Sequence, residues 1–188
     1  MQVKVSLKIP FVGGIEGTWE PEQSERDASW ELYVELITRI STVPLHRDEG
    51  KAREALTSFY QLFGITRHIL RQYGPAVARG SDERITFGRI AVVMLNDVIR
   101  PVLAKWHPLL TSYEEQRPPH VDTVTHERGW ERIDELRSEI DRTRRLLTDI
   151  AILLGRVAGV ESLLAEDLRP LEPPNQRGGD WKRDSDPG

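Results

Sequence analysis

The chain contains no cysteine. That excludes disulfides, thiolate zinc sites and cysteine nucleophiles, and it fits a reducing cytoplasm. Long hydrophobic runs are missing too. No stretch reaches ~18 uncharged apolar residues, so no transmembrane helix is expected. The start, MQVKVSLKIP, alternates lysine with apolar residues and lacks the continuous apolar core of a signal peptide. There is no large excess of charge. The formal net charge of −4 gives no signal for general nucleic-acid binding and leaves room for a local basic patch. No internal repeat at solenoid periods is found. The common catalytic signatures are lacking as well. Gly13 and Gly14 are too few for a phosphate loop, and no serine sits in a nucleophile elbow. The stretch His126-Glu127-Arg128-Gly129-Trp130 opens like a zincin helix, but its second histidine is absent. His46, His68 and His120, like His126, fall on loops or polar faces without a partner at ligand spacing. No metal and no cofactor is expected.

What is present suits one domain. The 188 residues, 38% apolar and 30% charged, are enough to bury a real core. One stretch, FGRIAVVMLNDVIRPVLAKWHPLLTSY from Phe87 to Tyr113, is apolar on nearly every side in its first half. A helix of that kind is usually buried, and the amphipathic segments around it can wrap it.

In chain order, Val3, Val5, Leu7 and Ile9 alternate with Lys4, Ser6 and Lys8, the period of a half-buried strand. Pro10 stops it, and the glycines between Phe11 and Trp19 predict a turn and a short second strand. Such a hairpin packs on its own helices or offers an edge to a partner. Trp30, Tyr33, Leu36, Ile37 and Ile40 predict helix one over Pro21 to Ser41, with Pro21 in its first turn. Helix two starts at Asp48 and Glu49 with an apolar set that includes Ala52, Leu56, Phe59, Tyr60, Phe63, Leu70 and Tyr73, and Gly74-Pro75 ends it. Residues 76–85 read as a polar, mobile connection. Thr86 caps helix three, Pro101 predicts a kink near Asp97 to Arg100, and Pro108 a second break with a separate turn over Leu109 to Tyr113. Residues 114–124 form a loop. Ile133, Leu136, Ile140, Thr143, Leu147, Ile150, Leu154 and Val157 then form a seam at three- and four-residue spacing. One helix from Thr125 to Ala158, capped by Thr125 or Asp122 and closed by Gly159, would span ~50 Å. Residues 160–171 allow a short further helix.

The expected fold is all-α: a four-helix-type bundle with a kinked third helix, a small N-terminal β-hairpin and a disordered C-terminal tail. Residues 1–19 form the hairpin, 20–169 the bundle, and 170–188 the tail, which is rich in proline and glycine and carries Trp181. The remaining tryptophans sit beside apolar positions, so Trp30, Trp106 and Trp130 are assigned to core or domain-edge packing and Trp19 to the hairpin–helix junction.

The best candidates for chemistry are Arg100, His107 and, after them, Asp97. Arg100 and His107 are seven residues apart, which places them on one helical face if the helix survives Pro101. An arginine, four to six residues and a histidine resembles the ribonuclease motif of HEPN domains, all-helical bundles that often dimerise to assemble their site. The resemblance covers about eight residues and implies a metal-independent ribonuclease, with His107 moving a proton and Arg100 holding the phosphate. The sequence departs from the family pattern at Pro101, where a polar residue is usual. The structural reading of the same residues pairs Arg100 with Asp97 or a carboxylate of helix four, and lets Trp106 and His107 close the kinked helix. Asn96 and Asp97 interrupt an apolar run and predict a satisfied polar network.

The segments WELYVELITRI, REALTSFYQLFGITRHILRQYGP and FGRIAVVMLNDVIRPVLAKWHPLL resemble uncharacterised bacterial helical proteins found beside multi-gene conflict or defence systems. This likeness covers most of residues 3–160 and implies a partner-dependent role without naming a site. The expected function is therefore a non-enzymatic cytoplasmic interaction or adaptor module with a protein partner. The alternatives are the HEPN-like ribonuclease using Arg100 and His107, and self-assembly through the helix-four seam.

Overall fold

Alternation builds the first element. A computed structural model describes residues 2–9, 13–39, 50–80, 84–160 and 163 of the chain. Strand β1, Val3–Ile9, pairs antiparallel with β2, Gly13–Trp19, in a register running from Val3 opposite Trp19 to Ile9 opposite Gly13. Val3, Val5, Leu7 and Ile9 are buried, and β1 lies against the last helix of the fold. A two-stranded ribbon needs that support, because one hairpin alone is marginal in water.

Helix α1, Gln23–Ile37, starts two residues later than the sequence suggests. Pro21 precedes the cap, which is Glu22, and the Glu25 carboxylate accepts the Glu22 N–H at 2.9 Å. Glu25 is only 1% exposed. It also accepts from the Trp19 indole N–H (3.2 Å) and from the Phe87 N–H (3.1 Å), with the Arg84 guanidinium at 3.4 Å. One buried carboxylate thus ties the end of β2, the start of α1 and the start of the helix that opens at Phe87 together, and four donors satisfy it. The stretch of helix one from Ile40, and the Asp48–Glu49 start of helix two, lie outside the described residues.

Helix α2 spans Ala52–Tyr73. Its first free N–H groups, those of Ala52 and Arg53, are accepted by Glu127 at 2.8 and 3.3 Å from a remote helix. Gly74 ends α2 at φ +61°, as the Gly-Pro signal predicts. The connection after it differs from expectation. Residues Gly74–Ala78 form a 3₁₀ turn that packs against α1 and against the helix opening at Phe87, and Val77 and Ile85 are buried.

Thr86 caps α3, Phe87–Val93, accepting the Arg89 N–H at 3.2 Å. A π-helical turn, Met94–Ile99, follows and leads into α4, Arg100–Glu115. The Arg100 N–H bonds to the Leu95 carbonyl, five residues back. The wide turn sits just before Pro101, where the ring would otherwise meet the Asp97 carbonyl of a regular helix. Pro108 does not break α4, and the separate turn expected over Leu109 to Tyr113 is part of the same helix. Pro108 lies on the exposed face, where water can take up a carbonyl that has lost its donor. That face corrects a second expectation. The Phe87–Tyr113 stretch is not buried all round: Arg89, Val92, Asn96, Arg100, Ala104 and His107 form a solvent stripe along it.

The ~50 Å final helix is split. Asp122 caps a short helix α5, Thr123–Arg128, accepting the Val124 and Thr125 N–H groups at 2.9 Å each. The chain then turns through Gly129 before α6, Ile133–Ala158, closed by Gly159 at φ +76°. The turn is fixed from both sides. Glu127 is committed to the start of α2, and Trp130 enters an aromatic column. In that column His126 stacks on Tyr113 (4.2 Å), Tyr113 on Trp130 (5.3 Å), and Trp130 meets Trp106 edge-on (6.1 Å). Helix α6 is the hub, touching β1, α1, α2, the π turn and α4. Its seam positions from Leu136 to Val157 are buried within this one chain, so the seam is core and offers no surface to a second copy. The expectations for the stretch beyond Val160, including the tail and Trp181, fall on residues outside those described, Leu163 apart. Among the described residues no helix is long and apolar enough to cross a membrane.

Candidate functional site

Helix α2 and the α3–α4 rod run antiparallel, because Tyr60 faces His107 while Phe63 faces Arg100. Between them lies an open groove of about 620 Å³. Its floor is aliphatic and aromatic: Phe63, Leu70, Leu95 and Leu103 line it, half-buried or buried. Its rims carry Tyr60 (65% exposed), Val92 (46% exposed), Arg67, Asn96, Arg100 and His107. Helical spacing turns Tyr60, Phe63, Arg67 and Leu70 of α2 toward the gap, where they form one wall.

Two guanidiniums meet over one ring. Arg67 lies 5.8 Å and Arg100 lies 5.3 Å from the centre of Phe63, one from each wall. Arg100 donates through Nε and Nη2 to the Asn96 amide oxygen at 3.2 and 2.9 Å. Arg67 donates its Nε to the Phe63 carbonyl at 3.1 Å. Among the described residues no carboxylate lines the groove.

Arg100 and His107, singled out from the sequence, are therefore brought together: both are exposed and both line this groove. Their surroundings differ from the structural reading. Arg100 takes Asn96 and the Phe63 ring, not Asp97 or a carboxylate of α6. His107 stays in solvent, its ring 6.5 Å from Tyr60, while its neighbour Trp106 is fully buried. Asn96 is exposed, so no buried polar network forms there. Asp97 is half-buried outside the groove lining and takes no hydrogen bond or ion pair among the described residues. Two residues escaped the sequence reading. Tyr60 was counted with the apolar core face of α2 and is instead the most exposed of its large apolar side chains. Arg67 had no signal of its own, since only the antiparallel packing brings it over Phe63 beside Arg100.

A second groove, about 810 Å³, lies on the other flank of α2, against α1. Trp30, assigned to packing from the sequence, is 42% exposed on its rim. This groove has mixed charge, with Glu31, Glu35 and Arg39 facing Arg67 and His68. At its end the Tyr73 hydroxyl donates to Glu31 at 2.6 Å, and that hydrogen bond, with burial and the carboxylate's charge, pushes the phenol up to about 12.

Chemically, the α2–α4 groove offers cationic donors, one imidazole and an apolar floor. His107 has no hydrogen-bonded carboxylate or second base to orient it among the described residues, which separates it from an activated acid–base pair. Among the described residues no cluster of three histidine or carboxylate groups is placed to hold a metal ion. No family model matches the chain, no curated protein matches it, and no solved structure matches it.

Proposed function

We propose that the chain is a non-enzymatic cytoplasmic interaction module, an accessory or adaptor subunit, whose working surface is the α2–α4 groove. One observation carries the reading: an open groove with an apolar floor holds two arginines and, among the described residues, no carboxylate, and the exposed Tyr60 stands on its rim. Exposed aromatic and arginine side chains around an apolar centre are what protein interfaces concentrate. In this reading α1, α2, the α3–α4 rod and α6 serve as a four-helix-type bundle that holds the groove open. The resemblance to helical proteins beside bacterial conflict and defence genes supports reading the module as an accessory component of such a system. The test is co-purification from native cells with full-length tagged protein and with Tyr60→Ala, both checked for an unchanged melting transition. A stoichiometric protein partner retained by the unaltered chain and lost from Tyr60→Ala is the expected result. Equal capture by both contradicts the reading.

A second reading has its own support, because Arg100 and His107 share the groove and are both exposed. It makes the chain a HEPN-like metal-independent ribonuclease. Purified protein would then cleave single-stranded RNA in the presence of chelator, and His107→Ala would abolish cleavage with the fold intact. Absence of cleavage by the unaltered chain removes this reading.

A further inference from the structure

We infer that the occupant of the α2–α4 groove is an acidic amphipathic helix presented by a partner protein, and that Arg67 and Arg100 select it. The inference rests on the interaction-module reading and names the partner's chemistry.

Shape comes first. The groove is bounded lengthwise by two antiparallel helical walls, the arrangement into which a third helix lays an apolar stripe. Leu95 and Leu103, eight residues apart on one wall, are separated by ~12 Å along the axis, about two helical turns. An occupant with apolar anchors at i and i+7 would reach both ends of the floor. Among the described residues no strand edge faces the groove, so strand addition has nothing there to pair with. The Phe63 ring is covered by the two guanidiniums and the rest of the floor, Leu70, Leu95 and Leu103, is aliphatic, so only the rim rings of Tyr60 and His107 are left to stack on bases, which disfavours a nucleic acid.

Charge comes second. Arg39, Arg53, Arg84, Arg132, Arg137 and Arg144 each reach a carboxylate of this chain. Arg67 and Arg100 do not, among the described residues. Their remaining Nη donors stand at mid-groove, one on each wall, above the Phe63 ring they cover. A carboxylate between the two apolar anchors of the occupant would be met from both sides by charge-assisted bonds. In a chain whose net charge is −4, this local reversal of sign selects an acidic partner and repels a basic one.

The test uses the full-length chain as bait for a displayed library of random 16-residue peptides. Enriched clones should be net negative, with apolar residues at i, i+3 or i+4 and i+7 and a carboxylate between them. The best clone, synthesised, should lose at least about tenfold in affinity for the Arg67→Glu/Arg100→Glu protein, and its Glu→Lys version should recover binding to that variant. Neutral or basic clones, binding insensitive to the double variant, or no enrichment at all would overturn the inference. So would a homodimer of the bait that the double variant dissociates, or an oligouridine 16-mer that competes with the peptide and binds through the same arginines. If the peptides fail while Tyr60→Ala still releases a protein partner in cells, the interaction module stands and only the acidic helix falls.

Discussion

Two glycines on two helices describe the two faces of this molecule. Gly155 on α6 sits where a Cβ would come within 3.2 Å of the Tyr33 ring, and Tyr33 is fully buried. Gly64 on α2 has nothing within 4 Å of the same position, and it lines the groove against α1. The α1–α6 face is sealed because small residues, Ala28, Ala151 and Gly155, let the helices close on each other. The surface of α2 stays open because Tyr60, Gly64 and Arg67 face outward and no helix among the described residues is laid over them. The first face holds the fold together. The second is available for binding.

The largest break in the comparison comes from the sealed side. Leu147→Ala, at a fully buried seam position, should cost about 2–5 kcal/mol in denaturant unfolding, depending on how far the cavity collapses. Gly155→Val should cost about 1–3 kcal/mol, because the added atoms meet a ring with no room to move. Gly64→Ala should do the reverse. It meets nothing and removes a flexible residue from a helix interior, so a gain of about 0.5–1 kcal/mol is expected. A loss at Gly64 would mean that the open face is more tightly covered than the described residues show.

The smallest effect is a pH dependence at the Tyr73–Glu31 latch. The folded chain holds the Tyr73 phenol at about 12, above its ordinary 10.0, so folding favours the protonated form. The latch therefore contributes fully below pH 10 and is lost as pH rises from 10 to about 12. The stability difference between the unaltered chain and Tyr73→Phe, followed by thermal melts, should be constant below pH 10 and shrink above it. A difference that does not change across that window would remove Glu31 as the cause.

The parts of the fold that were legible in the sequence are those that local chemistry decides alone. The alternation of Val3 to Ile9, the Thr86 cap, the Gly74-Pro75 stop, the seam of α6 and its Gly159 closure all appear where the residues place them. What was not legible depends on distant partners. Helix α5 separates from α6 because Glu127 caps α2 and Trp130 joins the aromatic column, and neither contact is written in the local period. Residues 76–85 look polar, yet Val77 is drawn into the core where its turn meets α1 and α3, and Ile85 is buried beside Gly17 of β2. The groove was half legible. Arg100 and His107 share a helical face by spacing, whereas Arg67 joins them only through antiparallel packing. Tyr60 was misread because periodicity counts a tyrosine as apolar and cannot tell which flank of α2 lacks a neighbour.

A partner that binds the α2–α4 face leaves the outer face of α6 free. The direct measurement places a photo-crosslinking amino acid at Tyr60 in one protein and at Arg145, 62% exposed on α6, in another, and irradiates native cells. A discrete protein adduct from Tyr60 and none from Arg145 is the expected result. Equal adducts from both positions, or none from Tyr60, would contradict it.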